Sequence, residues 1–134
     1  MSLLSKNYIQ MYDLTVVRNA LMRSRVQQLS ADDQDSIISV LIHDIFGGEI
    51  LKTRAIGGWH FYNRIDGIRL DFSKHDFGKS SEMQQFEDIQ VSPEEASCCF
   101  EPEQYSVFLF NFINFFEETV GLNVEYHQVE YATS

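Results

Sequence analysis

His60 and Asp71 carry most of the chemistry legible in this chain, and Asp66-Gly67 lies between them. An Asp-Gly pair flanked by alternating apolar residues predicts a two-residue hairpin, because both central residues of a type I′ turn need positive φ. With Asp66 and Gly67 as the loop, Ile65 pairs with Ile68, Tyr62 with Asp71 and His60 with Ser73. Side chains alternate across a strand. Trp59, Phe61, Asn63 and Ile65 then share one face with Ile68, Leu70 and Phe72, while His60, Tyr62 and Arg64 share the other with Arg69, Asp71 and Ser73. His60 and Asp71 become diagonal neighbours, about 7–8 Å apart at Cα. An imidazole held by a carboxylate is the orienting half of a nucleophilic triad. The same pair on a solvent face is only a surface ion pair, worth less than about 1 kcal/mol. Spacing alone leaves both readings open.

The positioning elements follow from periodicity. Asp13 to about Arg25 reads as a helix with Leu14, Val17 and Leu21 on one side. Ser30-Ala31-Asp32-Asp33 supplies a polar break and candidate caps. Ile37, Ile38, Leu41, Ile42, Ile45 and Phe46 form one apolar stripe, predicting a buried helix stopped by Gly47-Gly48. Three strands follow: Glu49 to Ile56, Trp59 to Ile65 and Ile68 to Ser73. Their apolar face, with Trp59 in the core, is expected to pack on the helix stripe. His75 to about Val91 reads as irregular. Ser92-Pro93-Glu94-Glu95 starts a helix, so the glutamate pair is read as capping. Glu101-Pro102 starts a Phe-rich helix reaching about Thr119, apolar on several sides, and residues 122–131 read as an edge strand.

The runs DQDSIISVLIHDIFGGEIL and GGWHFYNRIDGIRLDFSKHDF resemble the YunG family of small bacterial proteins. The resemblance rests on Asp44-Ile45-Phe46-Gly47-Gly48-Glu49 at the helix end and on Gly57, Gly58, His60, Phe61, Tyr62, Asn63 and Arg64 on the strand. Asp66-Gly67, Asp71-Phe72-Ser73 and Phe77 continue it. It covers residues 34–77, and the flanks are less alike. The order of helix-start nucleophile, strand histidine and next-strand aspartate is also that of transglutaminase-like and papain-like cysteine enzymes. In the family a Gln-Cys opens the helix, and the resemblance implies that cysteine as the thiol. A thiol there would have its pKa lowered by the helix dipole.

This chain departs at that point: Gln34 is followed by Asp35 and then Ser36. A carboxylate cannot perform thiol acyl transfer, and capping would explain Asp35 as a first-turn residue. Ser36 should point about 100° further round the helix. Cys98 and Cys99, the only cysteines, form neither a disulfide framework nor a CxxC site and are expected to be buried and inert. The four histidines, with Asp44, Asp71 and Asp76, match no ligand spacing, so neither metal nor cofactor is expected.

The 134 residues fit one domain, 1–134. Ten basic against twenty acidic residues give a net charge of −10, which argues against direct nucleic-acid binding. No apolar stretch reaches the roughly 20 residues of a membrane span, no secretory signal opens the chain, and a cytoplasmic setting is expected. The fold expected is α+β: N-terminal helices on an antiparallel sheet, a cysteine-hydrolase (transglutaminase/papain-like) core, then the Phe-rich helix and an edge strand. The function expected is a non-catalytic binding or regulatory protein on a degenerate cysteine-hydrolase-like scaffold, partnered by a protein or small molecule. Its cleft would hold His60, Asp71 and Asp35 at degenerate triad positions, with Gln34, Tyr62 and Asn63 as binding residues. One alternative is a hydrolase of altered chemistry using Asp35, His60 and Asp71. Another is an acidic interaction or inhibitor protein that blocks a basic partner surface, with a homodimer formed through helix 102–119.

Overall fold

Asp66 and Gly67 make the predicted reversal, with φ values of 51° and 77°. The computed structural model describes residues 14–25, 29–56, 58–72 and 86–133, with side chains at all of these except 31, 32 and 120–133. Helix α1 spans Leu14–Arg23 and helix α2 spans Ala31–Phe46. Strands β1 (Glu49–Ala55), β2 (Gly58–Ile65), β3 (Ile68–Leu70) and β4 (Ile89–Val91) follow. Short helix α3 (Pro93–Ala96), a 3₁₀ turn (Ser97–Cys99) and helix α4 (Pro102–Thr133) complete the order. The sheet is antiparallel, in the order β3-β2-β1-β4.

Registers Asn63↔Leu70, Arg64↔Arg69 and Ile65↔Ile68 are those the turn dictates. Cross-strand partners share a face, so Ile50↔Asn63 and Lys52↔Phe61 lie on one side of the sheet and Leu51↔Tyr62 and Thr53↔His60 on the other. The first face meets α2. Ile65 and Phe72 join Ile37, Leu41, Ile45 and Phe46 in the main core, and Phe61, Ile50 and Val91 pack around Val40. Phe108, Phe112 and Phe116 of α4 close the main core against α1 and α2. Arg23 lies over the Phe115 ring at 4.0 Å.

Several expectations are corrected. Trp59 is not in the core but 41% exposed, because it sits at the hairpin end of β2 beside the fully exposed Ile56, away from the residues that meet the α2 stripe. The stretch before Pro93 contains β4, a three-residue strand too short for its alternation to stand out. No edge strand forms at 122–131, since α4 continues to Thr133. Gly121 costs a helix interior only about 1 kcal/mol, too little to stop it. Asp35 is not a cap. Ser30 is the cap, its hydroxyl accepting from Asp33 N at 3.2 Å, which places Asp35 in the second turn of α2. Cys98 is exposed rather than buried.

The sharp turn from α2 into β1 depends on Gly48. Its φ is +83°, and a Cβ there would lie 2.5 Å from the Arg64 carbonyl oxygen. Backbone cannot yield as a side chain can. Gly48→Ala is expected to cost about 2–4 kcal/mol, measured by urea denaturation. A loss below about 0.5 kcal/mol would remove this account of the turn.

Candidate functional site

Three elements converge on His60. β2 carries it, 3% exposed, on the sheet face opposite the main core. Asp35 approaches from the second turn of α2, with Oδ2 2.5 Å from His60 Nδ1. Asp71 approaches from the residue after β3, with Oδ2 2.6 Å from His60 Nε2. The carboxylates are 16% and 11% exposed, so only their edges reach solvent.

This geometry decides the protonation. A carboxylate only accepts, and a neutral imidazole donates from one nitrogen alone. Both ring nitrogens here face carboxylates, so both donate and His60 is an imidazolium. Burial works against that charge, but hydrogen bonds from Asp35 and Asp71, with their Coulomb attraction, outweigh it and raise the pKa from 6.5 to about 9. A folded-state pKa above the unfolded value adds stability that is complete below pH 6.5 and lost as pH rises through 9. The shift corresponds to about 3 kcal/mol. Urea denaturation at pH 6.5 and 9.5 should show a fall of this order that His60→Leu abolishes. Equal stability at the two pH values in the native chain would contradict the assignment.

The face around His60 is covered, which sequence reasoning did not foresee. Tyr62 stacks on the imidazole, with ring centroids 5.9 Å apart, and is 1% exposed. Residues 86–88 cross over it as a strap. Phe86 meets the Tyr62 ring at 4.8 Å and lies under Arg69 at 4.6 Å. The Tyr62 hydroxyl donates to Asp88 Oδ1 at 2.7 Å and accepts from Asp88 N at 2.8 Å. Burial, with the Asp88 carboxylate beside it, drives the phenol pKa upward. Arg69 grips Asp88 through Nε and Nη2, and the guanidinium lowers that carboxyl's pKa. Glu87 Oε1 accepts from Arg54 N at 3.0 Å, and Thr53 Oγ1 accepts from Glu87 N, also at 3.0 Å. The only sequence signal for this strap was one phenylalanine in a polar run.

Other candidates lie elsewhere. Asn63 is on the opposite sheet face, donating from Nδ2 to Ser39 O at 2.9 Å, so it ties β2 to α2 and does not join His60. Gln34 is buried beside Asp35. Ser36 is fully buried, and its hydroxyl donates to Asp33 O at 2.9 Å. His43 Nδ1 meets Gly48 O at 2.9 Å at the C-terminal end of α2, and Asp44 accepts from the Tyr105 hydroxyl. Glu95 N donates to the Ser92 cap at 3.0 Å, as expected. Ser73, His75, Asp76, Phe77 and the side chain of His127 lie outside the described residues. Among the described residues no group of three or more His, Cys, Asp or Glu side chains is arranged to hold a metal.

Residues 18–115 match the family model described as YunG protein. The chain belongs to the YunG family. The match runs from α1 into the Phe-rich part of α4, so it takes in Asp35, His60, Asp71 and the strap. The chain is also similar to "Uncharacterized protein YunG" of Bacillus subtilis (strain 168), 42% identical over 72 residues. That alignment covers 54% of this YunG-family chain and 60% of the relative's length. No solved structure matches. Among the described residues, no helix of this YunG-family chain is long and apolar enough to cross a membrane.

Proposed function

We propose that this YunG-family chain is a non-catalytic binding or regulatory protein on a degenerate cysteine-hydrolase-like scaffold. One observation carries the reading: each nitrogen of His60 is bonded to a carboxylate. Acyl transfer by a triad needs a nucleophile and a base with a free lone pair. An imidazolium between two carboxylates offers no lone pair, and a carboxylate stands where the resemblance places a thiol. The order of helix residue, strand imidazole and next-strand carboxylate is the one that cysteine hydrolases use, which supports a shared scaffold. Cys99 packs with Val40 and Phe61, on the sheet face away from His60, and Cys98 precedes it in the same 3₁₀ turn.

The partner is a protein or small molecule that meets the surface where the edges of Asp35 and Asp71 emerge, since Gln34, Tyr62 and Asn63 are buried and line no open cleft. Two measurements test this. Ester, thioester and amide hydrolysis by the native chain should equal that of His60→Ala between pH 6 and 8, where the ring stays charged. Imidazole ¹⁵N shifts should show both His60 nitrogens protonated at pH 7. Turnover that depends on His60, or a neutral ring at pH 7, would overturn the proposal. Any captured partner should lose affinity on Asp35→Asn or Asp71→Asn, and indifference to both would remove this surface as its binding site.

A further inference from the structure

We infer that copies of this chain associate head to tail, the β1–β2 hairpin tip of one seating on the exposed stripe of α4 of the next. The tip presents Ile56, fully exposed, beside Trp59 at 41%. Scattered exposed apolar residues are ordinary, but Trp59 is supported by its neighbours. Lys52 Nζ lies 4.3 Å from the centre of the Trp59 ring and is itself held 2.7 Å from Glu95 Oε2. The indole is therefore fixed before any partner arrives, which lowers the cost of ordering it on contact. Arg54 also lies near the ring, 6.0 Å from its centre, with 78% of its side chain exposed and a 3.9 Å approach to Glu87. Rigid tryptophan, arginine and an aliphatic neighbour are the composition of an interface anchor.

The complement is an apolar surface bordered by acid, and this chain carries one. Glu103, Val107, Phe110, Asn114 and Glu117 recur at helical spacing along α4 and all are exposed. Val107 is 55% and Phe110 65% exposed. The stripe thus has an apolar centre and acidic ends. Laying two such stripes together would oppose like charges, whereas the tip brings Arg54 to one of the glutamates. The two surfaces differ, so the contact is heterologous and need not close at two copies. Four apolar side chains fall well short of the roughly 800 Å² per partner of a stable interface, so association is weak.

Sedimentation velocity on the full chain from about 10 µM to about 1 mM tests this. The average mass should rise continuously with concentration rather than level at two protomers. Emission from Trp59, the only tryptophan, should shift to the blue over the same range. The tip variant Ile56→Ser/Trp59→Ser and the stripe variant Val107→Ser/Phe110→Ser should each stay monomeric. Their equimolar mixture retains one good tip and one good stripe, and should form heterodimers and nothing larger. A monomeric native chain, a mass that levels at two protomers, or a tip variant that still associates would each overturn the inference.

Discussion

Replacing His60 by leucine is expected to destabilise the fold by about 3–5 kcal/mol, because it leaves two largely buried carboxylates facing each other without the cation between them. The size of the effect comes from burial. Exposed ion pairs contribute less than about 1 kcal/mol, but here the imidazole is 3% exposed and its partners 11% and 16%. For a chain of this length the loss amounts to roughly 10–20 °C in Tm. The charge arithmetic gives a second check. Asp35→Asn/His60→Leu/Asp71→Asn removes cation and anions together, and should recover most of the loss, since neutral replacement of a whole buried ion cluster is often close to neutral in stability. His60→Leu costing under 1 kcal/mol, or a triple variant as unstable as the single one, would show that the cluster is not held by charge.

Asp35→Cys is expected to create a thiol with unusual reactivity at low pH. The carboxylate oxygen it removes lies 2.5 Å from His60 Nδ1. Sulfur would occupy the position one bond further back, still beside the ring. Asp71 would continue to hold the other nitrogen at 2.6 Å. A thiol next to an imidazolium has its pKa lowered from about 8.5 to 7.5 or below. At pH 6 an ordinary thiol is about 0.3% ionised, whereas one with a pKa near 6 is half ionised. Lower basicity takes back part of that gain, since nucleophilicity falls with a Brønsted slope of about 0.4–0.5. The net expectation is iodoacetamide alkylation at pH 6 roughly nine- to sixteenfold faster than at an ordinary thiol, with Cys98 as the internal comparison, measured by peptide mass spectrometry. Asp35→Cys/His60→Leu should lose the advantage. A new thiol no faster than Cys98, or one indifferent to His60, would mean that position 35 is not a nucleophile position in this scaffold.

Much of the site was legible because it depends on local rules. An Asp-Gly turn sets one register, and that register sets which side chains share a face. His60 and Asp71 had to meet once Asp66 and Gly67 formed the loop. Asp35 was legible only through the resemblance, which placed a helix residue against the strand imidazole. Its reading as a first-turn residue failed because Ser30, not a residue nearer Asp35, closes the helix. Trp59 failed for a different reason. Alternation tells which face a residue is on, not how far along the strand the opposing helix reaches. Asn63 shares the apolar face yet is fully buried, because the backbone oxygen of Ser39 accepts its amide hydrogen.

The amino-acid pattern by itself determined the helices as far as about Thr119, the hairpin, the facing of imidazole and carboxylate, and the absence of sulfur from α2, since all of these follow from chain-local periodicity and residue identity. Tertiary structure alone decided that the second sheet face is covered by Phe86, Glu87 and Asp88, that two acids rather than one hold the ring, and that His60 is consequently a cation. Those outcomes depend on contacts between residues far apart in the chain, and a buried charge is settled by every group that surrounds it.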